Sequence, residues 1–273
     1  MLEKQDINLL LIQLKELKEL DKSELEKFSD EIAKLNNAQL SLYYCGLLKK
    51  YIEKHARVIL KSKSSEFNYE ICKLPGANIK DHEKVILKNK EPKWSYFFVR
   101  DVKGADVLAH EKVVIDSKWV ELNYSFAEKI EGADIAAHQQ VVMEGKNPEI
   151  CYKFAKNVPF SDKKSLGQVV IDSEDPKWNY YFASNIRGAD IKGHGQAVIN
   201  SGNTYYNNRF YDIEGSDKKG HLRVLYNRGE IETVFSRDVD LYLELRKEYD
   251  REKTKEKVKT INELINKMQE DNN

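Results

Sequence analysis

GADIAAHQQVV, residues 132–142, recurs with small changes as GADVLAHEKVV at 104–114 and as GADIKGHGQAV at 188–198. The chain has six histidines, at positions 55, 82, 110, 138, 194 and 221, so their spacings are 27, 28, 28, 56 and 27. The long spacing is twice 28, and its midpoint is Leu166, within KSLGQVVIDS (164–173), the same phrase with Leu in place of His. All six histidines thus occupy one slot of a seven-fold repeat of about 28 residues, a period that signals stacked supersecondary units.

The other positions keep the same phase. Twelve residues after the His slot stand Trp94, Leu122, Ile150 and Trp178. Tyr96, Tyr124, Tyr152 and Tyr180 come two residues later, then Phe98, Phe126, Phe154 and Phe182, and then Val102, Ile130, Val158 and Ile186. The first unit follows loosely with Phe67, Tyr69 and Ile71, and the sixth, NSGNTYYNNRFYDIEGSDKKG, is degraded.

Each unit reads as two short helices. Asp106, Asp134 and Asp190 (Asn78 in an earlier unit) suit the N-cap of the first, where a side-chain oxygen accepts a free amide N–H. Proline in EP (91–92), NP (147–148) and DP (175–176) suits the first turn of the second, where a missing N–H costs nothing. The glycine of each GA pair permits the turn into the next unit. Trp178, Phe182 and Ile186, four apart, share one face of the second helix. Units this small cannot bury a face alone, so the expected fold is all-α: a right-handed α-solenoid of about seven two-helix repeats.

The ends differ from the middle. INLLLIQLKELKEL and, after a Ser23 cap, ELEKFSDEIAKL read as charged amphipathic helices, and residues 37–54 as a worn half-repeat. From Asp238 the chain reads as one or two charged helices with an apolar stripe of Val258, Ile261, Leu264, Ile265 and Met268. The expected organisation is an N-terminal helical cap (1–54), the tandem-repeat array (55–237) and a C-terminal charged helical cap (238–273). The terminal stripe is also a candidate homodimer contact.

Composition narrows the function. Basic and acidic residues both number 45, giving a formal net charge of zero. Residues 51–230 hold 28 basic and 25 acidic side chains, a balance of +3 that is weak for a phosphate track. No run reaches the ~18 apolar residues of a membrane span. Cys45, Cys72 and Cys151 fit no metal spacing and read as reduced thiols, so a cytoplasmic location without membrane contact is expected. The excess of 36 Lys over 9 Arg, with abundant Ile, Asn and Tyr, is the style of a low-GC bacterium or its phage.

AKNVPFSDKKSLGQVVIDSEDPKW, residues 155–178, resembles the leucine-rich variant class of short α-solenoid repeat: a helix ending in Ala-x-Asn, a turn with Pro or Ser, a second helix, and an acidic-Pro break. More distantly the array is similar to HEAT repeats, and to tandem repeats in proteins of low-GC bacteria and their phages. The chain departs from the variant class in its longer period, in Tyr where Arg is frequent, and in having no cysteine cluster for an iron–sulfur site. The resemblance implies architecture and, for function, binding of macromolecules along an extended surface.

The histidine slot lies on the apolar face of the first helix, since Ile135, Val141 and Val142 flank His138 at helical spacing. Zinc ligands sit ~2.0–2.1 Å from the metal, whereas equivalent side chains of stacked helices stand roughly 8–10 Å apart. The expected role is therefore inter-repeat packing, with ring nitrogens bonded to backbone or to Ser and Asp groups; a pH switch, a metal role and a catalytic role are the alternatives. No cofactor and no metal are expected.

No phosphate loop, nucleophile elbow or dinucleotide fingerprint is present. Fixed slots hold a repeat fold together, so variable slots are where a partner would be read. Phe97, Arg100, Trp119, Lys153, Lys156 and Tyr181 are the candidate residues for a protein partner, aromatics and Arg being common interface anchors. The expected function is a non-enzymatic protein-binding scaffold, in its narrowest form a phage-encoded inhibitor of a host protein, such as an anti-defence or anti-CRISPR factor. The first alternative is a nucleic-acid-binding solenoid that stacks bases on Tyr96, Tyr124, Tyr152 and Tyr180. The second is a HEAT-like repeat enzyme such as a base-excision glycosylase, with Trp94, Trp119 and Asp101 in the chemical roles.

Overall fold

The computed structural model describes residues 4–16 and 22–270, and all its regular structure is helical. The chain divides into two compact units: Met1–Gly145 with Val158–Ser161, and Lys146–Asn157 with Asp162–Asn273.

The first unit contains α1 (Lys4–Glu16), α2 (Lys22–Lys27), α3 (Ser29–Lys34), α4 (Ala38–Leu48), α5 (Glu53–Ser62), α6 (Ser65–Cys72), α7 (Ile79–Asn89), α8 (Pro92–Asp101), α9 (Val107–Asp116), α10 (Val120–Lys129) and α11 (Ile135–Glu144). The second contains α12 (Pro148–Asn157), α13 (Lys163–Asp172), α14 (Pro176–Asn185), α15 (Ile191–Ser201), α16 (Thr204–Phe210), α17 (Lys218–Asn227), α18 (Ile231–Arg237) and α19 (Val239–Glu270). Within each unit, second helices pack on the first helices that follow them, as α8 on α9 or α14 on α15, and successive second helices pack on each other.

Local chemistry sets the boundaries. Asp106, Asp134 and Asp190 cap α9, α11 and α15, accepting the N–H of Ala109, Ala137 and Gly193 at 3.0–3.1 Å. Asn78 sits at the same position but donates its amide to Asp81 instead. Pro92, Pro148 and Pro176 each open a second helix. Gly104, Gly132 and Gly188 turn the chain with φ of +91°, +80° and +83°, a region L side chains rarely adopt. The tight turn inside each pair also needs a left-handed residue, supplied by Lys63, Lys90, Lys118, Lys146 and Glu174, and by Gly202 in the degraded unit.

The core is a repeated slot rather than one centre. Phe98 and Phe126 in the first unit, and Phe154, Phe182 and Phe210 in the second, are buried. Burying each such ring contributes about 1.5–3 kcal/mol. The degraded unit keeps its essentials, since Asn203 caps α16 and Phe210 fills the Phe slot.

The ends correct two expectations. Ser23 lies inside α2, not ahead of it, and the segment expected as one helix breaks at Phe28 into α2 and α3. Helix α4 presents Ser41 and Tyr44 to His55. At the other end the chain forms the single long α19, whose Leu245 packs on Leu222, Leu225 and Val234. Further along α19, Val258 and Ile261 are exposed, and the side chains of Leu264, Ile265 and Met268 lie outside the described residues.

Candidate functional site

All six histidines are fully buried. Their partner is a residue the sequence reading passed over: an Asn thirteen residues after the His slot, on the second helix. Nδ1 of His82, His138, His194 and His221 lies 2.6–2.8 Å from Oδ1 of Asn68, Asn123, Asn179 and Asn207. Each Asn amide nitrogen donates to two backbone carbonyls, for Asn179 those of Val170 and Asp175, both at 2.9 Å. With the amide nitrogen so committed, Oδ1 is the acceptor, and the histidine is held with its proton on Nδ1.

The slots change together. Where Leu166 replaces His, Cys151 replaces Asn; in the first unit Ser41 bonds Nδ1 of His55 at 3.3 Å. At His110 the partner is Ser95, and neither its hydroxyl nor Nδ1 of the ring finds a hydrogen bond. The rings also lie against the Phe slot, with centroids 4.8–5.0 Å apart for Phe98–His110, Phe126–His138, Phe182–His194 and Phe210–His221. The packing role is thus accompanied by bonds to Asn, and at His55 to Ser41 and Ser29 as expected of Ser groups, and not to the backbone or to Asp groups.

Burial pushes His55, His82, His110, His194 and His221 down to about 4. It also lowers His138, against the opposing pull of Glu111. The three thiols are buried and pushed up, Cys45 to about 11 and Cys72 and Cys151 to about 12, which makes them poor nucleophiles at neutral pH.

The second helices carry the candidate binding residues. In the first unit Tyr69, Trp94, Tyr96 and Phe97 form one aromatic group, with Trp94 and Phe97 centroids 5.8 Å apart. Arg100 lies over Phe97 at 4.7 Å and Lys93 over Trp94 at 4.8 Å. In the second unit Tyr152, Trp178, Tyr180 and Tyr181 form its counterpart, joined by Tyr205 and Tyr206. Lys156 lies over Tyr152, Lys177 over Trp178 and Arg209 over Tyr180. The structure therefore brings Phe97 together with Arg100, and links Tyr181 to Lys156 only through Tyr152, which stacks on the first and lies under the second. Lys153 is engaged by Glu149 one turn away at 2.6 Å. Trp119 stands apart from that flank, 47% exposed at the N-cap of α10.

Tyr96 and Tyr152 are buried, and Tyr124 and Tyr180 half-buried. Tyr96 packs on Phe126, and Tyr180 on Phe210, so these rings join successive second helices. Asp101 accepts from Tyr69 and Arg100; the Arg100 guanidinium holds its carboxyl below the usual range.

Phe160 is the residue most out of keeping with its surroundings. It takes the turn position held elsewhere by Gly104, Gly132 and Gly188, has φ of +60°, and is 98% exposed. A bulky side chain in the left-handed region costs about 1–2 kcal/mol, and such strain concentrates at functional sites. The signal was available in the sequence as VPFSD where the other units have GAD.

Among the described residues no group of three or more His, Cys, Asp or Glu is placed to hold a metal ion, and no helix is long and apolar enough to cross a membrane. No protein-family model, curated protein or solved structure matches the chain.

Proposed function

We propose that the chain is a non-enzymatic helical-repeat scaffold that binds another protein, with Phe160 as an anchor and the aromatic–cationic flanks of the second helices as the wider contact. Phe160 is the observation that carries the reading. A fully exposed phenylalanine on a left-handed backbone opposes both solubility and local stability, and an aromatic anchor entering a partner's pocket accounts for both costs. The flanking groups add what interfaces favour: Trp94, Phe97 and Arg100 in one unit, and Trp178, Tyr181 and Arg209 in the other.

The finer form of the reading is a right-handed array of seven repeats of the leucine-rich-variant or HEAT-like kind, acting in the cytoplasm. Its narrowest form is a phage-borne inhibitor of a host protein; low-GC compositional style is its support. Affinity capture from lysate of a low-GC bacterium, with and without nuclease, tests the reading. A stoichiometric protein that survives nuclease and is lost with Phe160→Gly is expected. A nuclease-sensitive eluate that is indifferent to that substitution would overturn it in favour of nucleic acid.

A further inference from the structure

The residue after the His slot is Glu in two units, Glu83 and Glu111, and it reaches forward into the next unit. Glu111 Oε1 accepts the Asp134 N–H at 2.6 Å and lies 3.3 Å from Nε2 of His138. Glu83 repeats this with the Asp106 N–H at 2.6 Å and with Nε2 of His110 at 3.4 Å. The first bond ties down the amide of the helix-capping residue; the second contact is a hydrogen bond at His138 only, Nε2 of His110 having no hydrogen-bond partner. Where the following unit has Leu166 instead of His, the residue is Gln139. The carboxyl is absent ahead of three histidines: His82 follows Ala56, His194 follows Gly167 and His221 follows Gly195.

At position 167, as at 195, the slot holds glycine while the next unit has its histidine, His194; position 167 is set apart by the cavity and the two lysines beside it. A Cβ on Gly167 would stand 3.5 Å from Nε2 of His194, so the ring nitrogen points toward the missing side chain. His194 is fully buried, and its Nε2 has no hydrogen-bond partner. In place of the glutamate there is a cavity of about 280 Å³, lined by Lys163, Lys164, Gln168, Phe182, Asp190 and His194, among others. The Asp190 N–H, counterpart of the amides bonded by Glu83 and Glu111, meets no side chain from residue 167.

We propose that this cavity is a binding site for a carboxyl group supplied from outside the chain, seated as the Glu111 carboxyl is seated one unit type away. One oxygen accepts the Asp190 N–H and faces Nε2 of His194. Because Nδ1–H is committed to Asn179, one proton lies between the bound carboxyl and Nε2. The charged groups around the cavity are Lys163 and Lys164 at its mouth, and Asp190. Asp190 is engaged by Gly193 N–H as a cap, as Asp134 is beside Glu111. The two lysines have no basic counterpart beside Glu111, where Val107 and Leu108 occupy those positions, so this copy of the slot has a cationic entrance. The carboxyl could come from a small carboxylic acid or from an acidic side chain of a peptide. Neither source depends on the protein-binding reading.

The test is NMR titration of the whole chain, following the Asp190 amide and the His194 ring. The probes are propionate, which copies a glutamate side chain, inorganic phosphate, and the peptide acetyl-Gly-Glu-Gly-amide. Saturable shifts at both groups with propionate, exceeding those with phosphate, are expected; the peptide acting more strongly than propionate identifies a protein source, and the reverse a metabolite. Gly167→Glu fills the slot in cis as Glu83 and Glu111 do in their units, with the Phe182 ring, 3.1 Å from the added Cβ, giving way by a few tenths of an ångström. In that variant the Asp190 amide is expected to move downfield toward Asp106 and Asp134, and the propionate response to disappear. Lys163→Ala with Lys164→Ala, both exposed positions, is expected to weaken propionate several-fold without changing the unfolding midpoint. Propionate shifts that persist in Gly167→Glu, that are matched by phosphate, or that are absent in the wild-type chain would each overturn the proposal.

Discussion

Replacing Asn179 by Cys and His194 by Leu, singly and together, transplants the Cys151/Leu166 pair into a neighbouring slot and tests the ladder directly. His194→Leu removes the ring and leaves Asn179 Oδ1 buried without its 2.7 Å partner. An orphaned buried acceptor costs about 1–3 kcal/mol, offset in part because Nε2, already unpartnered, leaves with the ring. Asn179→Cys gives up the two amide bonds to Val170 and Asp175 and orphans the Nδ1–H of His194. The carbonyls keep other donors, Ser173 Oγ for Val170 and the Asn179 N–H for Asp175, so their share is about 0.5–1.5 kcal/mol each. The orphaned ring N–H adds about 1–3 kcal/mol. Both orphans vanish in the double variant, which is therefore expected to be more stable than the summed singles by about 2–6 kcal/mol. Urea unfolding followed by tryptophan fluorescence and far-UV circular dichroism measures the cycle, coincidence of the two signals checking that unfolding is cooperative. Additivity within about 0.5 kcal/mol would refute the pairing.

Three further outcomes follow from the same geometry. Ser95→Asn gives Nδ1 of His110 the acceptor that the other units have, and is expected to raise stability by about 1 kcal/mol in the urea assay. Lys90→Gly removes a side chain from a left-handed position with φ of +53° and is expected to add up to about 1 kcal/mol, read the same way. Stability is expected to fall steeply in acid. Five histidines sit near 4 when folded and near their ordinary 6.5 when unfolded, so below pH 6.5 the unfolded chain takes up protons that the folded chain refuses. Stability is full above that pH and is lost as pH falls toward 4, with a limiting slope of about 1.4 kcal/mol per pH unit for each histidine. Unfolding free energies measured between about pH 7 and 5.5 check it, above the range where most carboxylates titrate.

The repeat period, the helix pairs, the Asp caps and the proline starts were legible because each rests on one residue type at a fixed spacing. The Asn ladder was in equally plain view at Asn68, Asn123, Asn179 and Asn207, but polar residues flanked by aromatics read as surface unless their partner is known. Its clue was covariation: Leu166 and Cys151 depart from the pattern together. The break at Phe28 was hidden because SELEKFSDEIAK keeps helical periodicity across it. Phe160 needed a backbone angle, since aromatic residues in turns are not unusual until the turn is seen to be left-handed. Whether Tyr96 and its equivalents face solvent also depended on the neighbouring second helix, which the 28-residue period alone does not locate.

The central claim is that Phe160 anchors a protein partner. Replacing it with the photoreactive analogue p-benzoylphenylalanine and irradiating the chain in lysate tests that claim at the residue itself. A single protein adduct, competed by unmodified chain and unaffected by nuclease, is the predicted result. Adducts only to nucleic acid, or none while a partner is still captured by the intact chain, would contradict it.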